Sequence, residues 1–355
     1  MKFTRLATTL AGLCAAAICT APIAHSAEVT PAQVAGDTPL ATISGAKYPE
    51  QQLKWRANVS GERVEEMWAT SPAMNNREIP LVVIRAAEPN RPIIYLLNGG
   101  DGGEGDANWL MQTDVLDFYR EKNVNVVIPM TGKFSYYSDW VSENAALGGK
   151  QMWETFLTKE LPGPMEKELK ANGKRAIAGM SMSATSSVLL AEHNPGFYDA
   201  VGAFSGCYAS SKPAPTAYIA LTLQRGAATI EQMWGAWGGP LWHYNDALIN
   251  AESLRNTEIY VSNGSGLGGE ADMPNGSRLR GVDPFIASMS ATISTTSGGA
   301  IEAATNQCTH DFKKKLESLN IPATFNMRNT GTHSWGYWKQ DLRDSWPTFE
   351  RAFNS

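Results

Sequence analysis

The sequence predicts an α/β fold, with a mostly parallel central sheet, helices on both faces and a Trp-rich helical insertion. Three observations point there. Short unbroken apolar runs alternate with helix-length stretches, the order of buried parallel strands joined by crossover helices. A few alternating segments precede them and read as antiparallel strands. With 355 residues, 43% hydrophobic and 18% charged, the chain has material for one large core and no disordered or fibrous bias.

The start of the chain reads as a secretory signal over residues 1–27. Lys2 and Arg5 form a basic start, residues 6–18 an apolar middle, and Ala24-His25-Ser26-Ala27 a small-residue cleavage region. That apolar part is too short and Ala-rich to span a bilayer, and no later stretch approaches about 20 apolar residues. Cys14 and Cys19 follow the bulky Leu13 and Ile18, where lipid attachment requires a small residue. The expectation is a secreted or cell-envelope protein without a transmembrane segment, with residues 28–355 forming one domain. The net charge of −5, more negative once Lys2 and Arg5 are removed, argues against a nucleic-acid partner. Cys207 and Cys308 then remain in an oxidising compartment, where a disulfide is expected. Two separate buried thiols are the alternative.

Residues 53–59, 65–69 and 81–84 alternate as antiparallel strands. Residues 93–97 and 124–128 read as parallel strands with a helix at 109–121 between them. A helix bent at Pro162 and Pro164 spans 153–171, a strand follows at 175–178, and a helix at 184–193 closes at Asn194-Pro195. Strands at 200–204 and 258–262 flank the Trp-rich segment 209–256, read as a cap-like insertion. Residues 264–299, rich in Gly, Ser and Thr, read as an irregular loop. The chain closes with a helix at 311–319, a strand at 323–327 and a helix from 335 to about 353.

Ser181, in Gly179-Met180-Ser181-Met182-Ser183, lies between a strand and a helix. This is the strand, sharp turn and helix of a nucleophile elbow, and it makes the fold an α/β-hydrolase fold. Gly-x-Ser-x-Ser by itself is common, so the context carries the weight. A serine hydroxyl needs a base, which in this fold follows the last strand. His333 stands there, whereas His193, His243 and His310 lie elsewhere and His25 is in the signal. The acid must fall between Ser181 and His333. Glu270, Asp272, Asp283 and Glu302 are the candidates, with Glu302 favoured because it opens the helical run containing Cys308, which a disulfide would tie beside the sheet. The backbone N–H of Met182 and one from the loop Asn98-Gly99-Gly100-Asp101-Gly102-Gly103 would form the oxyanion hole. That loop lacks the lysine of a phosphate-binding loop. Neither His-Glu-x-x-His nor clustered cysteines occur, so no metal and no cofactor are expected.

These residues resemble the secreted mycolyltransferases of the antigen 85 type, and more closely their corynebacterial branch. The resemblance runs over most of the mature chain. It is carried by Tyr95-Leu96-Leu97-Asn98-Gly99, Tyr137-Ser138-Asp139-Trp140, Trp153-Glu154-Thr155-Phe156-Leu157 with Glu160-Leu161-Pro162, Met180-Ser181-Met182, Met233-Trp234-Gly235 with Asn245-Asp246, Asn263-Gly264, Leu267-Gly268-Gly269 and Gly331-Thr332-His333-Ser334-Trp335. It implies transfer of a mycolyl group between trehalose esters, or onto cell-wall arabinogalactan, through an acyl-serine at Ser181 with His333 as base. By the same resemblance Gly100 and Met182 supply the oxyanion hole. Glu302 fits the family acid because Thr305-Asn306-Gln307 follows it, and Asn98, Ser334 and Trp335 are expected at the substrate. The loop carries Asn98 and Asp101 where mycobacterial members carry an aspartate and an arginine, so the acceptor need not be the same. A secreted carboxylesterase and a matrix-binding surface protein are the competing readings.

Overall fold

A nine-stranded mixed sheet runs through the computed structural model, which describes residues 38–355. The signal at 1–27 lies outside the described residues. The strands are β1 (Thr42–Gly45), β2 (Val64–Ser71), β3 (Arg77–Ile84), β4 (Ile93–Leu97), β5 (Asn125–Pro129), β6 (Arg175–Met180), β7 (Ala200–Phe204), β8 (Glu258–Asn263) and β9 (Thr324–Met327), in the order β1-β2-β3-β5-β4-β6-β7-β8-β9. β1 to β3 pair antiparallel and β3 runs antiparallel to β5; from β5 to β9 every pairing is parallel.

Alternation along the strands assigns each residue to one of two cores. Leu81, Val83, Tyr95, Leu97, Val127 and Ile177 face one layer, where the Met182–His193 helix and Phe312 and Leu316 of the Gly299–Ser318 helix pack. Val82, Ile84, Ile94, Leu96, Val126, Ile128 and Ala178 face the other, covered by the Val115–Arg120 helix and the Trp335–Asn354 helix. Both faces are apolar because both are covered, which is why the central strands read as unbroken apolar runs.

Four readings need correction. Residues 53–59 are not a strand: they form a turn with one 3-10 winding, Arg56–Asn58, that buries Trp55 beneath it. The helix read at 109–121 is two helices, Trp109–Gln112 and Val115–Arg120, broken where Thr113 takes an extended conformation. Residues 264–299 are not all irregular. A helix over Pro284–Ile293 continues through a widened turn at Ser294–Gly298 into Gly299–Ser318, so the helix read at 311–319 begins far earlier. Asp283 caps its start by accepting from the N–H groups of Phe285 and Ile286, and Pro284 occupies the first helical position. β1 went unread.

The segment 209–256 is helical, with Pro213–Gln224 its longest piece. Trp234 and Trp242 do not line a cleft; they pack into the core, and Trp234 Nε1 donates to Ser138 Oγ at 3.0 Å. These rings anchor the insertion. No helix among the described residues is long and apolar enough to cross a membrane.

Candidate active site

The end of β6 sets Ser181 in a strained backbone conformation, φ 57° and ψ −122°, that turns the strand sharply into the Met182–His193 helix. Two neighbours make the turn possible. A Cβ at Gly179 would lie 2.6 Å from the Ser183 carbonyl oxygen, so only glycine fits. Ser183, the departure from a closing glycine, accepts from the Met180 N–H at 3.0 Å and donates toward the Leu97 carbonyl at 3.3 Å. Its hydroxyl pins the elbow to β4. The Ser181 N–H donates to the Phe204 carbonyl on β7 at 2.8 Å, tying Ser181 to the next strand.

His333 follows β9 and faces Ser181, with Nε2 2.7 Å from Ser181 Oγ and Nδ1 2.8 Å from Glu302 Oε2. A proton on Nδ1, donated to the carboxylate, leaves Nε2 free to accept the serine proton. Glu302 is buried, and its other oxygen, Oε1, accepts from Gly264 N at 2.6 Å, Ser205 Oγ at 2.8 Å and Asn263 Nδ2 at 3.0 Å. Trp338 donates its indole N–H to Ser205 Oγ at 3.0 Å and stands edge-on to the His333 ring at 4.9 Å. The imidazole is thus fixed by a carboxylate on one edge and an indole beside it.

Gly100 and Met182 both line the cavity at Ser181, and among the described residues the N–H of neither donates to a protein acceptor. Met182 opens a helix of twelve residues, so its N–H lies at the positive end of the helix dipole. Such a pair of donors can receive an oxyanion. The cavity beside Ser181 holds about 420 Å³ and is walled by Tyr136, by Ile219 and Leu221 of the Pro213–Gln224 helix, and by Ala300, Ile301 and Ala304 of the Gly299–Ser318 helix. An apolar chain fits this lining.

The remaining candidates fall elsewhere. Asn98 is buried: its Nδ2 donates to the Pro129 carbonyl at 2.9 Å and its Oδ1 accepts from Trp109 N at 3.2 Å, so it shapes the glycine loop from below and does not reach the cavity. Ser334 turns away from Ser181 and donates to Asp272 Oδ1 at 3.1 Å. Trp335 packs edge-on against Trp109 at 5.3 Å and Trp338 at 5.2 Å, outside the cavity. None of the three lines the apolar cavity beside Ser181.

Of the alternative acids, Asp272 is buried beside the histidine loop, accepting from Thr332 Oγ1 at 2.6 Å, Tyr337 OH at 2.6 Å and Gly269 N at 3.0 Å without touching the imidazole. Glu270 accepts from Ser277, and Asp283 caps its helix. His193 is held by Glu154 at 2.9 Å and by the Tyr244 carbonyl at 2.8 Å, a buried structural pair. Cys207 and Cys308 form a disulfide with Cα atoms 4.9 Å apart, fastening the Glu302 helix to the loop after β7.

Ser205 and Trp338 were not singled out by sequence, and Asn263 entered only as part of the Asn263-Gly264 motif, with no role assigned. Ser205 and Asn263 follow or end β7 and β8 at their carboxyl ends, where an open parallel sheet gathers its functional groups. That position was a usable signal.

The chain matches the family described as "Putative esterase" over residues 71–349. It is 31% identical over 306 residues to the diacylglycerol acyltransferase/mycolyltransferase Ag85A of Mycobacterium tuberculosis, covering 83% of each chain. To the diacylglycerol acyltransferase/mycolyltransferase Ag85B of Mycobacterium leprae it is 29% identical over 279 residues, 74% of this chain and 76% of that one. Among solved structures, Mycobacterium tuberculosis MPT51 matches with TM-score 0.65 at 23% identity, over 82% of this chain and 100% of the other. An S-formylglutathione hydrolase from Agrobacterium tumefaciens matches with TM-score 0.57 at 17% identity, over 82% and 97%. These two structures bear on the fold alone.

Proposed function

The chain belongs to the "Putative esterase" family and, within it, to the antigen 85 mycolyltransferases, and from that membership we propose that it is a serine acyltransferase that moves mycolyl groups between trehalose esters, or onto cell-wall arabinogalactan. The observation that carries this reading is the hydrogen-bonded line Ser181–His333–Glu302 opening on an apolar cavity.

In the first half-reaction Ser181 Oγ attacks the ester carbonyl while His333 Nε2 takes its proton and Glu302 steadies the resulting imidazolium. The tetrahedral oxyanion lies between the N–H groups of Gly100 and Met182. Collapse breaks the bond to the sugar oxygen, which leaves with the proton from His333. The acyl chain stays on Ser181. An acceptor hydroxyl then enters, gives its proton to His333, attacks the acyl carbonyl and releases Ser181 with its hydrogen restored. Water in the acceptor's place gives hydrolysis, so the apolar walls matter: they keep the acyl-enzyme dry until a sugar arrives. No residue in these steps requires a metal or cofactor. The working place is the cell envelope, reached through the signal at 1–27; amino-terminal sequencing of the exported protein beginning at Glu28 is the expected result.

Incubating the purified protein with trehalose monomycolate and labelled trehalose tests the reading. Label should enter trehalose monomycolate, with Ser181→Ala inactive. Free mycolic acid with no labelled ester would make the protein a hydrolase, and equal products from the wild type and Ser181→Ala would remove Ser181 from the mechanism.

A further inference from the structure

The Pro284–Ile293 helix, the first part of the run that continues into Gly299–Ser318, shows its large apolar side chains to solvent and its small ones to the protein. Phe285, Ile286, Met289 and Ile293 share one face of the Pro284–Ile293 helix and are 73%, 55%, 51% and 60% exposed. Inward, the same helix offers only Ala287 and Ala291, which meet Leu279 in a small satellite cluster. This inverts the ordinary amphipathic arrangement, in which the large residues would face the core. Residues 284–301 carry no charge at all. The widened turn at Ser294–Gly298 takes up an extra residue and so brings Ile301, 48% exposed and on the cavity wall, round to the face of Ile293.

The opposite lip repeats the pattern. Residues 213–224 are also uncharged, and Tyr218 and Leu221 of that helix stand 40% and 62% exposed at the cavity mouth. Elsewhere exposed helix faces carry charge, as with Lys339, Arg343 and Arg351 on the Trp335–Asn354 helix. Two uncharged helical stretches and an outward apolar stripe thus border the approach to Ser181, with Arg225, at the end of the Pro213–Gln224 helix, the one arginine on the cavity lining. An exposed patch of this kind marks a contact with a partner.

We propose that this rim is an interfacial docking surface: the Phe285, Ile286, Met289 and Ile293 face lies against an uncharged lipid layer and delivers acyl chains past Ile301 and Leu221 to Ser181. The proposal rests on the reading of the Ser181 cavity as an acyl site. Continuity of the stripe with the cavity wall favours a lipid over an unrelated protein, because a chain leaving the layer meets apolar side chains all the way to the nucleophile. The lack of lysine and arginine along residues 284–301 distinguishes this stripe from the basic amphipathic helices that seek anionic membranes. Its attachment is accordingly independent of salt.

Flotation of the full mature chain with phosphatidylcholine vesicles tests this, using the wild type, Ser181→Ala and the double variant Phe285→Gln/Ile293→Gln. The wild type and Ser181→Ala should float equally, and the double variant should lose at least about ten-fold in partitioning. Added phosphatidylglycerol or high salt should change wild-type binding less than about two-fold. Turnover of a soluble short-chain p-nitrophenyl ester by the double variant should stay within about two-fold of wild type, with an unchanged unfolding midpoint. Failure of the wild type to float, or equal flotation of the double variant, overturns the proposal. So does a wild-type dimer in light scattering that the double variant dissolves, since the stripe would then cover a second copy. Ser181→Ala separates the two claims: vesicle binding without any acyl transfer in the wild type would sink the enzymatic reading and leave the docking surface standing.

Discussion

Glu302 meets His333 at 2.8 Å through one carboxylate oxygen while its other oxygen is saturated by three donors, Gly264, Ser205 and Asn263. The acid can neither rotate nor swing away. An isosteric Glu302→Gln replaces an acceptor with an amide that cannot accept at both ends, so the imidazole loses its proper tautomer. A loss of roughly 10³–10⁴ in kcat is expected, the size seen when a triad acid is neutralised. Steady-state kinetics on a soluble ester checks it; a loss under about ten-fold would reassign the acid.

Asp272 answers the same question from the other side. It accepts from the side-chain hydroxyls of both residues that flank His333, Thr332 and Ser334, yet leaves the ring alone. Asp272→Asn should therefore cost stability, on the order of 2–3 kcal/mol for buried donors left poorly paired, and lower kcat by only about ten-fold through looser placement of the base. Thermal unfolding and kinetics read together separate this from Glu302, and a loss equal to that of Glu302→Gln would contradict the assignment.

The disulfide closes a loop with a sequence separation of 101 between Cys207 and Cys308. Chain entropy for a loop of that size gives about 4–5 kcal/mol as an upper figure. Because Cys308 is on the helix that carries Glu302, the double variant Cys207→Ala/Cys308→Ala should unfold at lower denaturant and also show reduced kcat while still folded. Chemical denaturation paired with activity at low denaturant measures both; an unchanged midpoint would refute the stabilising role.

Asp139 gives a pH dependence with a definite sign. Burial, together with the nearby Glu154 carboxylate, pushes its pKa up to about 6 from an ordinary 3.8, against the hydrogen bonds from Thr155. A carboxyl raised in the folded state binds its proton more tightly there than in the unfolded chain. Its contribution to stability is fully present below about pH 3.8 and is lost as pH rises through 6. Relative to Asp139→Asn, the wild type should thus gain about 2 kcal/mol between pH 7 and pH 4. Denaturation of both proteins across that range gives the difference, and a gain in the opposite direction would contradict the cause.

Much of this was readable because burial leaves a plain mark. β4 to β8 were visible as apolar runs since both sheet faces are covered, and the meeting of Ser181 with His333 followed from chain order once strands flanked them. The failures have physical reasons too. Residues 53–59 alternate as a strand would, yet the apolar member Trp55 is buried by a turn, not by a ladder. Residues 284–298 have a loop's composition, but their hydroxyls are absorbed along the helix, Thr292 onto Ser288 and Thr296 onto Thr292. The Asp283-Pro284 start was the signal that could have revealed it. Asn98, Ser334 and Trp335 show a different limit. Closeness in sequence to Ser181's partners does not fix side-chain direction: Ser334 bonds Asp272, Trp335 packs on Trp109, and neither lines the cavity that His333 enters.

The central claim is that Ser181 carries the acyl group between sugars. Mass spectrometry of the intact protein after brief incubation with a trehalose ester tests it most directly. The expected result is an added acyl mass on the peptide containing Ser181, absent in Ser181→Ala and discharged on adding free trehalose with formation of new ester. An acyl adduct on another residue, or label transferred to trehalose by Ser181→Ala as fast as by the wild type, would contradict it.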